Sequence, residues 1–475
     1  MTFLVFPVNI LGYAVLLRHP ELVSGSHETE MLKQVQHDMK CVAPQHRLHE
    51  RIKTFLIHSV NILGYAVLAC AAPRHPEFIS GSQVTEMLKQ VQHDVSGANG
   101  AADPSASLRG SGATETRHPE LVSGSQTPAI TFNATHAITD ETDTSYTYIH
   151  NAQELKEKIT ANKTGKFCLM CDIDMTGETW TGLELGYYDE EMWEAHEGEF
   201  NGNGYTIKNL KGSQGLFSKV IGKVENVNLE NVDIDGGSSS NIGGLVGYLG
   251  DENSSTSVTN CAVSGNIKGG SYTGGLVGYA TRNISITNSS ASGNVTGGTY
   301  YTGGLVGGAL GGSITQSYAT GDVTAENGNY VGGLAGLQNE ATISNSYATG
   351  NVKGKDYVGG LTGENYNAWE GSGIDHSYST GNVEGTGDNV GGFVGANGSD
   401  YCEGHIQNCY STSDKDFIGN NKTPGTVQYN HSAGTATIDG VENHGAEWFN
   451  DGSNLGFLGN AFNTSIIPPD LNDNP

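Results

Sequence analysis

Gly303-Gly304-Leu305-Val306-Gly307 is the stretch on which the fold turns. The same box stands at residues 243–247, 274–278, 332–336, 359–363 and 391–395, with Ala335, Thr362 and Phe393 as its variants, and a worn copy begins at Gly215-Leu216-Phe217. It returns about every 29 residues, and self-similarity at such a period specifies a stacked-repeat architecture. Residues Leu245, Leu276, Leu305, Leu334, Leu361 and Phe393 fall at one phase. Stacking one unit on the next would align them into an apolar column that no single unit could bury alone. The flanking glycines are read as corner residues, where a Cβ is least tolerated.

Each box is followed by a second signature, seen as Ile286-Thr287-Asn288-Ser289, Ile314-Thr315-Gln316-Ser317, Ile343-Ser344-Asn345-Ser346, Ile374-Asp375-His376-Ser377 and Ile406-Gln407-Asn408-Cys409. A third segment closes the unit at Asn266-Ile267, Asn294-Val295, Asp322-Val323, Asn351-Val352 and Asn382-Val383. One unit therefore reads as three short strands, rich in Val, Ile, Thr and Tyr and broken by Gly, Asn, Asp and Ser. The column Asn226, Asn260, Asn288, Gln316, Asn345, His376, Asn408 places polar side chains above one another, where buried amides would hydrogen-bond along the stack.

These columns predict an all-β fold, a right-handed parallel β-helix of about seven coils. A propeller blade needs four strands in roughly 40 to 45 residues, more than a unit offers. The expected organisation is an amino-terminal segment over 1–126, a small α/β cap over 127–214, the β-helix over 215–412, and a carboxy-terminal cap and tail over 413–475. The first cap has one helical stretch, with Asn151 as its cap and Leu155 and Ile159 on one face. Trp180 and Trp193 are expected to help cover that end, and Trp448, Phe449, Leu455, Phe457, Leu458 and Phe462 the other, because open solenoid ends expose pairing edges.

The boxes resemble the GLUG motif, a repeat of bacterial surface proteins that include filamentous-haemagglutinin-like adhesins and the non-catalytic part of immunoglobulin A metallopeptidases. Cys171-Asp172-Ile173-Asp174, Trp180, and Phe200-Asn201-Gly202-Asn203-Gly204-Tyr205 look like the segment preceding the repeats there, so the likeness covers roughly residues 145–412. It implies a secreted or cell-surface repeat protein that holds a host or neighbouring-cell protein or glycan. Two alternatives are a non-catalytic region of a larger surface peptidase and a polysaccharide-degrading β-helix.

Residues 1–126 repeat differently. Residues 9–16 return at 61–68, residues 18–26 at 74–82 and 117–125, and residues 29–38 word for word at 85–94. Near-identity without a core-building period resembles a translated interspersed genomic repeat, expected to be poorly ordered. Within it an apolar run follows Arg47, Arg51 and Lys53 and ends at Ala69-Cys70-Ala71-Ala72, the layout of a signal peptide over about residues 47–71. Val67-Leu68-Ala69-Cys70 is close to a lipobox, in which Cys70 would carry a lipid and attach the chain to a membrane. The same run reads equally well as part of the translated repeat.

The formal charge of −27 and pI near 4.8 argue against nucleic acid, whose phosphates call for clustered Lys and Arg. Arg282 is the last of the arginines and the only one after Arg117. The seven cysteines are too scattered for a disulfide framework. Cys168 and Cys171 form a lone C-x-x-C without the second pair a zinc site needs. No His-Glu-x-x-His occurs, and Asp233, Asp235, Asp322 and Asp375 read as turn residues rather than a glycosidase pair. The sequence thus predicts no active site and no cofactor. Calcium at Asp172, Asp174, Asp233 and Asp235 is the one metal reading, without an established calcium motif behind it.

Two tyrosine columns are candidate ligand contacts: Tyr318, Tyr347, Tyr378 and Tyr410 after the Asn column, and Tyr272, Tyr301, Tyr330 and Tyr357 before the boxes. Stacked about 5 Å apart, outward rings would suit a sugar or a partner protein, whereas inward rings would be core.

Overall fold

The computed structural model describes residues 4–7, 14–17 and 136–471, apart from 193, 252, 367–371, 399–402, 423, 435–437, 446–447, 450–451 and 464–469. The expectations for residues 18–126, including the signal peptide and Cys70, and that for Trp193, lie outside the described residues.

The repeats build a parallel β-helix. One coil runs Tyr300–Gly303, Val306–Ala309, Ser313–Thr315, Tyr318–Ala319 and Val323–Thr324, which is five short strands where three were expected. They join sheets of six, nine, eleven and sixteen strands running along the stack. Every coil pairs with the next in parallel and keeps like over like: Val277 against Val306 and Val306 against Ala335, Ile286 against Ile314 and Ile314 against Ile343, Val295 against Val323 and Val323 against Val352. The nine-stranded box sheet begins at Leu183–Leu185 and ends at Ile418–Asn421, so the stack exceeds about seven coils and passes both bounds of the expected 215–412. Those outer strands lack a recognisable box, and only their register reveals them.

Leu245, Leu276, Leu305, Leu334, Leu361 and Phe393 are all fully buried in one continuous core. Removing about 1.5–3 kcal/mol worth of apolar side chain from water at each rung is what holds the coils together. The box glycines have a different role from the corners assigned to them. None of them has a positive φ; instead a Cβ on Gly304 would lie 2.0 Å from the carbonyl oxygen of Gly333, and one on Gly333 2.1 Å from that of Gly360. They permit close approach of stacked backbones.

The left-handed corners fall to the Asn column, with φ 55° at Asn226, 52° at Asn260, 49° at Asn288, 48° at Gln316, 50° at Asn345, 44° at His376 and 53° at Asn408. Asn is the side-chain-bearing residue that best tolerates this region. The column lies at the surface rather than buried, because the corner turns it outward. Its direct amide chain runs from Asn288 to Asn260 (3.2 Å), Asn226 (2.8 Å) and Asn201 (3.1 Å), and among the described residues it ends there. The buried polar ladder is the next column, Ser289, Ser317, Ser346 and Ser377. Each hydroxyl donates to the carbonyl two residues before it, and accepts an N–H from the preceding coil at 3.1–3.2 Å.

The helix Ala152–Ala161 begins at Asn151, whose side chain accepts from the Glu154 N–H, and it buries Leu155 and Ile159 in the first end of the core. Trp180 is buried and donates to the Leu216 carbonyl at 3.0 Å.

Candidate functional site

Tyr318, Tyr347, Tyr378 and Tyr410 do form a column, with ring centroids 4.8–4.9 Å apart and nearly parallel planes. Their neighbours Ala319 and Ala348 belong to the internal core, whereas the rings belong to a separate cluster with Phe449, Leu455, Leu458 and Phe462. The rings therefore point away from the core and are covered by the carboxy-terminal segment, which lies along this side. At 8, 4, 0 and 1% exposure they are closed to a ligand, a correction to the reading that offered them as a contact surface.

The other column is open. Tyr272, Tyr301, Tyr330 and Tyr357 are half-buried and stack with centroids 4.6, 4.9 and 4.5 Å apart. All four occupy the left-handed region, with φ 56°, 59°, 62° and 52°. For a bulky residue that conformation costs about 1 kcal/mol or more, which ring stacking at about 0.5–1.5 kcal/mol per pair offsets. The twist swings each ring across the outward side of the box sheet: the Tyr272 ring lies where a Cβ on Gly308 would meet it at 3.0 Å.

The box strands add a second file in strict register, Lys219, Tyr248, Tyr279, Gly308, Leu337, Glu364, Ala396 and Asn420. Tyr248 and Tyr279 meet at 5.2 Å, and Tyr279 meets Tyr272 edge-on at 4.8 Å. Tyr300, 43% exposed, flanks Tyr301 at 5.9 Å. A continuous run of tyrosines thus crosses the coils, with the Lys219 ammonium 5.6 Å from the Tyr248 ring at one end and that of Lys422 5.2 Å from Tyr357 at the other. Both distances are those of a cation over an aromatic face.

Glu364 sits among these rings. Burial pushes its carboxyl up to about 7, an effect partly countered by Lys422. Burial raises the Tyr301 hydroxyl to about 12 and that of Tyr330 further, with the Glu364 charge adding to both. The row therefore offers apolar ring faces, phenol hydroxyls that stay protonated, and a carboxyl that changes charge near neutral pH.

The other candidates do not converge. Asp172 accepts from the Thr206 N–H, Asp174 from Thr176 and Asn209, and Asp233 and Asp235 pair with Lys211 and Lys268 at 2.7 and 3.0 Å. Hydrogen bonds from Thr176 and Asn209 hold the Asp174 carboxyl at about 2. Asp322 belongs to a surface file of turn residues, accepting from the Asn351 N–H at 2.9 Å. Asp375 is held by His376 at 2.7 Å and Asn408 at 2.9 Å. The Arg282 guanidinium pairs with Glu340, so it is not available to neutralise a uronate. Cys168, Cys171, Cys261 and Cys409 are free thiols.

Residues 114–265 match the N-terminal region of the M26 IgA1-specific metallo-endopeptidases, and residues 269–296, 298–324, 327–353 and 386–415 match the GLUG motif. Among solved structures the chain is similar to a Bacteroides ovatus protein described as a candidate immunoglobulin A1 protease, at 22% identity and a TM-score of 0.40, over 70% of this chain and 93% of that one. It is also similar to an IgA1 protease at 22% identity and a TM-score of 0.38, covering 61% of this chain and 22% of that one. No curated protein matches the chain.

Proposed function

We propose that this chain carries GLUG-motif repeats as the non-catalytic β-helical region of an exported surface protein of the immunoglobulin A peptidase kind, and that its outer tyrosine row holds a protein or glycan. The observation that carries the reading is continuity: a match to the N-terminal region of those peptidases runs from residue 114 to 265 and passes directly into GLUG repeats reaching residue 415. The open row from Tyr248 to Tyr357 supports a binding role, because it presents half-exposed aromatic faces in register across successive coils. Half-exposed ring faces with flanking ammonium groups suit the apolar faces and hydroxyls of sugars, or an aromatic-rich protein surface.

Protease shaving of intact native cells, with mass spectrometry of the released peptides, tests the exported location. Peptides from residues 145–412 in the shaved fraction support it, and their release only after lysis refutes it. Binding is tested separately, by arrays of glycans and of immunoglobulin A1 with wild type and a Tyr301→Ala/Tyr330→Ala double variant. Equal retention of every bound probe by the two proteins would sink the tyrosine row as the contact surface.

A further inference from the structure

Near the end of the sixteen-stranded sheet, Asn430–Ser432 pairs in parallel with Val441–Asn443, which places His431 opposite Glu442. His444 follows that strand directly. Nδ1 of His431 and Nε2 of His444 are 3.0 Å apart, and Oε2 of Glu442 lies 3.8 Å from the first and 3.7 Å from the second. A triangle of these sides has a single in-plane point about 2 Å from all three atoms, the length of a zinc–nitrogen or zinc–carboxylate bond. Among the described residues this is the one group of three His, Cys, Asp or Glu side chains gathered closely enough to share an ion.

The surroundings fit a ligand set. The two imidazoles are well covered, at 13 and 19% side-chain exposure, and Glu442 closes the group from the solvent side at 73%. The His444 ring stacks on Trp448 at 3.9 Å with planes 6° apart, and His431 packs on Trp448 and Phe457 at 4.8 and 4.4 Å, so aromatic neighbours fix both rings. An apolar shell of this kind limits solvent access to a bound ion. Next along the chain, Phe449 packs on Tyr410 at 5.4 Å.

The geometry points to a divalent transition-metal site at His431, Glu442 and His444, with zinc as the ion matching two imidazoles, one carboxylate and a fourth position for water. The ion would pin the carboxy-terminal segment, through His444 and the adjoining Trp448 and Phe449, to the strand that carries His431. The site is remote in sequence from the tyrosine row and does not depend on its proposed role.

The test uses the full chain without an affinity tag, stripped with chelator, dialysed and titrated with zinc against a chromophoric competitor. Nine of the sixteen histidines lie before residue 127, so the reading is a difference between proteins. Wild type is expected to bind one more equivalent than His444→Gln, to show the visible absorption of four-coordinate cobalt(II) when loaded with that ion, and to gain thermal midpoint on zinc addition. Glu442→Gln, a near-isosteric change at a side chain 73% exposed, is expected to keep its fold and bind at least about tenfold more weakly. Equal stoichiometry and affinity in wild type and Glu442→Gln overturn the site. Zinc binding without any gain in midpoint overturns the pinning role.

Discussion

Gly304→Ala puts the repeat itself to the test. The new Cβ would lie 2.0 Å from the Gly333 carbonyl oxygen, a backbone atom, so two stacked coils must separate by about 1.4 Å to restore ordinary contact. That displacement strains the bonds from Gly304 N to Gly332 O (3.2 Å) and from the Leu305 and Val306 amides to Leu334 O (2.9 Å each). Two or three weakened bonds at about 1 kcal/mol net, with an overpacking cost of about 1–3 kcal/mol, give a loss of roughly 3–6 kcal/mol. Gly308→Ala is the internal control: it lies one residue past the same box, and its new Cβ meets no backbone atom, its one tight neighbour being the Tyr272 ring at 3.0 Å, which can move. Its expected loss is about 1 kcal/mol or less. Urea unfolding followed by far-ultraviolet circular dichroism compares the midpoints. If Gly304→Ala unfolds within 1 kcal/mol of Gly308→Ala, close approach is not the reason for glycine in the box.

Three further outcomes follow from named residues. Leu305→Ala empties a fully buried rung and should cost about 2–5 kcal/mol in the same assay, with the surrounding box strands unable to collapse inward. Glu364 has its folded pKa raised to about 7 from 4.5, so the folded state holds this proton more tightly. Its contribution is fully present below about pH 4.5, declines as pH rises and is gone above about pH 7, by roughly 2 kcal/mol after allowance for partial solvent access. Thermal midpoints at pH 5 and pH 8 should differ less in Glu364→Gln than in wild type, and an unchanged difference rejects the assignment. Phe462→Ala removes a ring 5.6 Å from Tyr378 and 6.3 Å from Tyr347 and should raise the chemical accessibility of that column, while leaving Tyr301 and Tyr330 as reactive as before.

The features legible in the sequence were those with a period or a cap. The box gave the Leu column, and Asn151 with Leu155 and Ile159 gave the helix, because each is a local pattern written once per turn or per coil. The strand before each box has no local signature, since Tyr300–Gly303 is four residues ending in glycine and carries no alternation. The left-handed tyrosines were equally hidden, because bulky side chains are poor predictors of positive φ and only the stack makes them tolerable. Whether Tyr378 faced a ligand depended on where Phe462 docks, a contact between distant parts of the chain. The His431, Glu442 and His444 group has a faint signature in Glu442-Asn443-His444, where alternate residues share one side of a strand. The pairing of that strand with His431 is a matter of register that no local pattern records.

In a stack of this kind each coil ordinarily answers only to the coils above and below it, so opening at one interface need not be felt two turns away. The carboxy-terminal segment changes that rule for part of the array. Phe449, Phe457 and Phe462 contact Tyr347, Tyr378 and Tyr410 on three successive coils, and Tyr318 is tied in through its own stacking on Tyr347. These coils share one cross-brace and gain or lose it together, so cooperativity is unevenly distributed along the chain. The rungs around residues 217–300 are therefore expected to open by nearest-neighbour fraying, and those from residue 318 onward to give way together, their integrity set by a segment outside the repeats.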